Sequence, residues 1–257
     1  MAKLEIRYSS EVLGMSRTLH ALVPEHREVP AGGFPVLWLL HGLYGDDSDW
    51  TRYGRAEFHV QELPLVVVMP STDRAWYTDM SAGYRYWTHL SEELPGVVGR
   101  MLPVTERREH TFVAGLSMGG YGSFKWALRS PERFAAAGSF SGALGRAGQM
   151  DHGDRATEWM QEQGHIFGDL ERFAGGEDDT EALARRLAGS DGVRPELFQA
   201  CGTADFLYQQ NLRFRDTARE VGLGLTYEEH EGEDHTWPYW DRMLGYFLAW
   251  LDVPGRL

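Results

Sequence analysis

The sequence predicts an α/β protein whose central sheet is mostly parallel and carries helices on both faces. Three observations predict it. Val36-Leu37-Trp38-Leu39-Leu40, Leu65-Val66-Val67-Val68-Met69-Pro70 and Thr111 to Leu116 are apolar with no polar alternation, as strands covered on both faces are. Helix-period stripes separate such runs, which implies crossovers between parallel strands. The third run ends in Gly115-Leu116-Ser117-Met118-Gly119 and passes at once into a helical pattern, the sequence form of a sharp strand-to-helix turn with Ser117 at its apex.

Taken in order, Leu4 to Tyr8 and Met15 to Val23 read as an antiparallel pair at a sheet edge, with a turn near Ser9-Ser10-Glu11. Pro24 to Pro35 is a polar loop carrying Pro and Gly. The strand Val36 to Leu40 stops at His41-Gly42-Leu43-Tyr44-Gly45, and an acidic stretch follows as far as Trp50. From Tyr86 to Met101 the residues Leu90, Leu94, Val97, Val98 and Met101 form a helical stripe that Pro95 should kink. After Ser117, Tyr121, Phe124 and Leu128 face one way on a helix that Ser130-Pro131 ends. Phe134 to Ser141 is the next strand.

Residues 143–192 change character, with Gly, Asp, Glu and Arg dominating. They read as an inserted excursion poor in core residues, with short helices at Thr157 to Gln163 and Thr180 to Leu187. A lid and an oligomer contact are both open for it. Glu196 to Ala200 resumes the strands, Tyr208 to Val221 is helical, and Leu223 to His230 is a strand. Trp240, Leu244, Phe247, Leu248 and Leu251 mark a closing helix, with Pro238 in the first turn that tolerates it. Residues 1–257 are expected to form one domain, since that length suits a single large core.

Composition narrows the function classes. A formal charge of −13 disfavours nucleic acid and anionic membrane surfaces, both of which need a basic face. The lone Cys201 excludes an internal disulfide and a Cys-rich zinc site. No apolar run approaches a transmembrane length, and the N-terminal residues lack a signal-peptide core, so a cytoplasmic location is expected.

In a parallel sheet, reactive groups gather at the carboxyl ends of the strands. Ser117 sits at one such end. Asp205 follows the strand ending near Ala200, and His235 follows the strand ending near His230. Serine, then acid, then histidine is the chain order of an α/β-hydrolase triad: His235 as base toward Ser117, Asp205 orienting the imidazole. Asp191, Asp216 and Asp234 compete for the acid, and Asp234 is too close in sequence to His235 to orient it. His230 is the rival base, less suitably placed at a strand end. His41-Gly42-Leu43 follows a buried strand, where an oxyanion loop belongs, so the backbone N–H groups of Leu43 and Met118 are the expected donors. His41 itself reads as structural. Trp76 and Trp237 fall near strand ends, where they could wall an acyl or alcohol pocket or simply be core. Asp46, Asp47 and Asp49 lack calcium-loop spacing and read as a solvated loop with a helix cap. Neither metal nor cofactor is expected.

The segments Trp38 to Gly45, Val68 to Asp79 and Ala114 to Tyr121, with the Cys201 to Asp205 and Gly232 to Trp240 loops, resemble the tributyrin esterase branch of the esterase D family. The resemblance runs from Val36 to Trp250. It implies an α/β-hydrolase fold and a carboxylesterase preferring short acyl chains, with Ser117, Asp205 and His235 as triad. The wider family includes S-formylglutathione hydrolases, mycolyl-type acyltransferases and feruloyl or acetylxylan esterases. The first of these commonly carry a cysteine shortly after the His-Gly-Leu motif, where this chain has Tyr44-Gly45-Asp46. The expected partner is a small acyl ester, with a homo-oligomer left open. Thioesterase or acyltransferase activity on the same triad is the alternative, and an intact triad argues against a non-catalytic binding protein.

Overall fold

A computed structural model describes residues 1–145, 156–169 and 173–255. Eight strands form one sheet: β1 (Ala2–Ser10), β2 (Met15–Val23), β3 (Val36–Leu40), β4 (Val66–Pro70), β5 (Thr111–Leu116), β6 (Ala136–Phe140), β7 (Glu196–Gly202) and β8 (Leu225–His230). Their order is β1-β2-β4-β3-β5-β6-β7-β8. β1 pairs antiparallel with β2, and β2 with β4, while every pairing from β4 to β8 is parallel. The expected fold class, a mostly parallel sheet with helices on both faces, is therefore the one observed.

Strand β3 lies between β4 and β5, so the chain leaves β3 toward one side and later resumes on the other. Loops after β3 and β5 diverge at such a point and leave a crevice at the strands' carboxyl ends. Registers level those ends: Leu40 lies opposite Gly115, Leu116 opposite Phe140, and Gly202 opposite His230.

Helices cover both faces because alternate residues of each buried strand point opposite ways. Trp38, Val68 and Val113 belong to one core, with residues of α4 (Leu94–Met101) and α5 (Met118–Arg129). Leu37, Val67, Phe112 and Ala114 belong to the other, with α2 (Ala56–Val60) and the closing helix α9 (Trp237–Trp250). The helical run predicted over Tyr86 to Met101 is continuous but contains a wide π turn at His89–Glu93, between α3 (Tyr86–Thr88) and α4. Pro95 has no N–H for the carbonyl four residues back, and the wide turn ahead of it absorbs that loss.

Two expectations need correction. The short helices α1 (Asp49–Arg52) and α2 carry too few turns to show a period, and the sequence does not reveal them. The stretch after residue 143 is also richer in core than its composition suggests. Trp159 and Ile166 of α6 (Ala156–Phe167), with Leu183, Ala184 and Leu187 of α7 (Thr180–Ala188), are buried in the first core. Charged residues dilute these stripes without breaking their spacing. Within the insertion, residues 146–155 and 170–172 lie outside the described residues. Asp179 starts α7 by accepting the N–H groups of Glu181 and Ala182 at 3.0 and 3.1 Å. The helix α8 (Tyr208–Glu220) then leads to β8. Among the described residues no helix is long and apolar enough to cross a membrane.

Candidate active site

Ser117 joins β5 to α5 with φ of 53° and ψ of −116°, a conformation that side chains rarely adopt. The surroundings hold it there. Its N–H donates to the Phe140 carbonyl at 2.9 Å, and its carbonyl accepts from Tyr121 and Ala143 at 3.1 and 3.0 Å. A Cβ on Gly119 would lie within 2.6 Å of the Leu40 and His41 carbonyls, and one on Gly115 would overlap the Gly119 backbone. Only glycine permits so tight a turn at both places.

The hydroxyl of Ser117 stands 3.0 Å from Nε2 of His235, and Nδ1 of that ring stands 2.8 Å from Oδ2 of Asp205. With a carboxylate on Nδ1, the ring proton resides there and Nε2 is left to accept from the serine. Asp205 is buried and fixed by a second bond, from the N–H of Leu207 to Oδ1 at 2.8 Å. Phe206 and Trp240 flank the imidazole, with centroids 4.6 and 4.8 Å from it.

The competitors stand elsewhere. Asp234 accepts the backbone N–H of His235 at 2.7 Å and does not reach its ring. His230 meets the Tyr239 hydroxyl, Asp216 pairs with Arg215, and Asp191 lies in an exposed turn.

His41 is fully buried, and burial lowers its pKa, which keeps it neutral. Its Nδ1–H donates to the Gly42 carbonyl at 2.7 Å, and its Nε2 accepts the Thr72 N–H at 3.1 Å. Its own carbonyl accepts the Tyr77 hydroxyl at 2.8 Å. Leu43 and Met118 both line the cleft beside Ser117. Met118 opens α5, where an N–H lacks an intrahelical partner, and among the described residues no protein acceptor takes either N–H.

The cleft holds about 340 Å³. Trp76 and Trp237 both line it. Trp76 is buried, has a φ of 52°, and packs against Tyr121, Trp159 and Phe167, which links the cleft to α6. Trp237 packs against Trp50, Tyr53 and Trp240. Tyr53, Phe206 and Trp240 complete the aromatic walls, and Tyr44 and Asp49 also line the cleft. Sequence reasoning missed these wall residues. Only the place of Phe206 beside Asp205 offered a signal.

The acidic loop is not solvated as its composition suggests. Asp47 and Asp49 are 7% and 8% exposed. Asp47 accepts from Thr18 and pairs with His20 at 2.8 Å, while Asp49 turns into the cleft. Among the described residues no three His, Cys, Asp or Glu side chains are grouped so as to hold a metal ion.

A mostly parallel eight-stranded sheet, with a serine elbow at the central strand and a histidine and a carboxylate on later loops, defines an enzyme of the α/β-hydrolase fold. Residues 10–251 match the protein family described as "Putative esterase", and the chain belongs to that family. It is 29% identical to an acetyl esterase of Caldicellulosiruptor saccharolyticus over 98% of both chains. Among solved structures it is similar to the fluorophosphonate-binding serine hydrolase FphF of Staphylococcus aureus, with a TM-score of 0.87, 30% identity and 97% of both chains covered. It is also similar to an S-formylglutathione hydrolase of the same organism, with a TM-score of 0.84 and 31% identity over 97% of this chain and 98% of that one. The chain is thus a serine hydrolase acting on carboxylic ester bonds.

Proposed function

We propose that the protein hydrolyses small esters of short acyl chains through an acyl-enzyme formed on Ser117. The observation that carries this reading is the unbroken line from Asp205 through His235 to Ser117, with separations of 2.8 and 3.0 Å. His235 takes the Ser117 proton as the hydroxyl oxygen attacks the ester carbonyl. Asp205 stabilises the resulting imidazolium and holds the ring in register. The negative charge on the carbonyl oxygen is met by the N–H groups of Leu43 and Met118. His235 then protonates the departing alcohol. Water, deprotonated by the same imidazole, attacks the acyl-enzyme and releases the acid.

The size of the cleft, about 340 Å³, suits a small ester. Hydrolysis of p-nitrophenyl acetate and butyrate tests the reading, as does fluorophosphonate labelling of the serine. Both should disappear in Ser117→Ala, and full activity in that variant would refute the assignment. A series of longer acyl chains should show falling kcat/KM beyond about four carbons, as the apolar walls run out.

A thioester is the second reading, favoured by the likeness to an S-formylglutathione hydrolase. Tyr44-Gly45-Asp46 after the His-Gly-Leu motif speaks for oxygen esters instead. Turnover of matched oxygen esters and thioesters, with and without an alcohol acceptor, separates hydrolysis, thioester cleavage and acyl transfer.

A further inference from the structure

Within the cleft, Asp49 stands apart from every other lining group. It supplies the only acidic side chain among residues that are otherwise aromatic, apolar, glycine or catalytic. It is 8% exposed, and among the described residues its carboxylate has a backbone hydrogen bond at Asp46 but no ion pair and no side-chain donor. The carboxylate instead lies against Gly45, where any Cβ would overlap it. A buried charge without a counter-ion is costly unless something brings the counter-ion.

Nearby guanidinium groups form no ion pair with it among the described residues, and Arg52 acts on it only at a distance. Arg52 lies over the Tyr53 ring at 5.0 Å and Arg74 over the Tyr44 ring at 5.1 Å, with Arg74 held by Glu162 at 2.6 Å, and neither arginine lines the cleft. Burial, reinforced by the Asp46 charge, pushes the Asp49 carboxyl up to about 6, a rise that a backbone hydrogen bond at Asp46 and the charge of Arg52 offset only in part. The same cleft is lined by Tyr53, Trp237, Trp240, Phe206 and Trp76, and aromatic ring faces attract cations. Over the whole chain the charge of −13 draws cations toward the protein and repels anions.

We infer that Asp49 and these aromatic walls make the cleft select esters bearing a positively charged ammonium group over uncharged esters of the same shape. The inference rests on the esterase reading for turnover but not for binding. A cation in the cleft supplies the partner Asp49 lacks, while the rings bury its methyl or methylene groups. An uncharged isostere gains only the apolar contact and leaves the carboxylate unpaired.

Two matched pairs of esters test it at physiological salt, where the surface charge is screened. One is acetylcholine against its carbon isostere, in which a tert-butyl group replaces trimethylammonium. The other makes the same exchange at the end of the acyl chain of a p-nitrophenyl ester. In at least one pair the charged ester should show a kcat/KM about tenfold or more above its isostere. Asp49→Asn should cut that ratio at least about fivefold, leaving only the share due to the ring faces. Ratios near one in both pairs for the native protein, or a preference undiminished by Asp49→Asn, would overturn the inference. Calorimetric titration of Ser117→Ala with choline and with its tert-butyl analogue reads recognition without turnover. Choline should bind about tenfold or more tightly. Equal binding overturns the inference, whereas preferential choline binding by a protein that cleaves no ester would sink only the esterase reading.

Discussion

His41 donates its Nδ1–H to the carbonyl of the very next residue, Gly42, at 2.7 Å. A trans peptide points its C=O and its N–H in opposite directions. Holding the Gly42 carbonyl therefore aims the Leu43 N–H the other way, and Leu43 lines the cleft. In the proposed mechanism His41 thus positions an oxyanion donor without touching substrate. Replacing it with Ala should lower kcat about 100-fold while KM moves little, since the donor acts mainly on the transition state. Steady-state kinetics on a p-nitrophenyl ester, with circular dichroism as a folding control, checks this. A change confined to KM would refute it.

Neighbours at the elbow should behave differently. In the proposed mechanism Ser117→Ala removes the nucleophile and Asp205→Asn the group that orients His235, so each should cost about 10⁴-fold or more in kcat. Met118 is proposed to act through its backbone N–H, so Met118→Leu should lose less than about tenfold. Equal losses at Ser117 and Met118 count against the backbone role.

Asp49 should oppose stability. Its carboxyl is raised from 3.8 to about 6, first by burial and then by Asp46. A group whose folded pKa lies above its unfolded value favours the fold while protonated. Its ionisation penalty is absent below about 3.8 and complete above about 6. Asp49→Asn should therefore stabilise the protein by about 1–2 kcal/mol at pH 8, discounted for the open cleft, and by little near pH 4. Thermal melting at the two pH values measures the difference. A destabilisation of the same size at both would contradict it.

Lys125 lies in α5, about two turns past the elbow, with its side chain fully buried. Its ammonium meets Asp178 at 2.5 Å, the Tyr77 carbonyl at 2.7 Å and the Thr78 hydroxyl at 2.7 Å, and burial lowers its pKa to about 8. Asp178→Ala should leave the charge uncompensated and cost about 3 kcal/mol at pH 7. The deficit should shrink as pH rises through about 8, because the native lysine then sheds its proton and no longer needs Asp178. Chemical denaturation at pH 7 and pH 9.5 reads the effect. A deficit that grew with pH would argue against it.

What the chain determines locally could be read from it directly. Val36–Leu40 and Thr111–Leu116 needed only their apolar runs to declare buried strands, and both have the observed bounds. Gly115 and Gly119 declared the turn around Ser117 because the steric demand there is local. The order of Ser117, Asp205 and His235 followed from counting strands. Tertiary structure alone decided which of these groups meet, since the convergence depends on the sheet order and on registers such as Gly202 opposite His230. It alone also turned Asp49 from a polar loop residue into a buried carboxylate, and brought Tyr53, Phe206 and Trp240 to line the same cleft. Hydrophobic period and glycine spacing report what one segment requires of its own backbone. Burial of a charge and the walls of a cleft are made by segments far apart in the chain, and no local pattern records them.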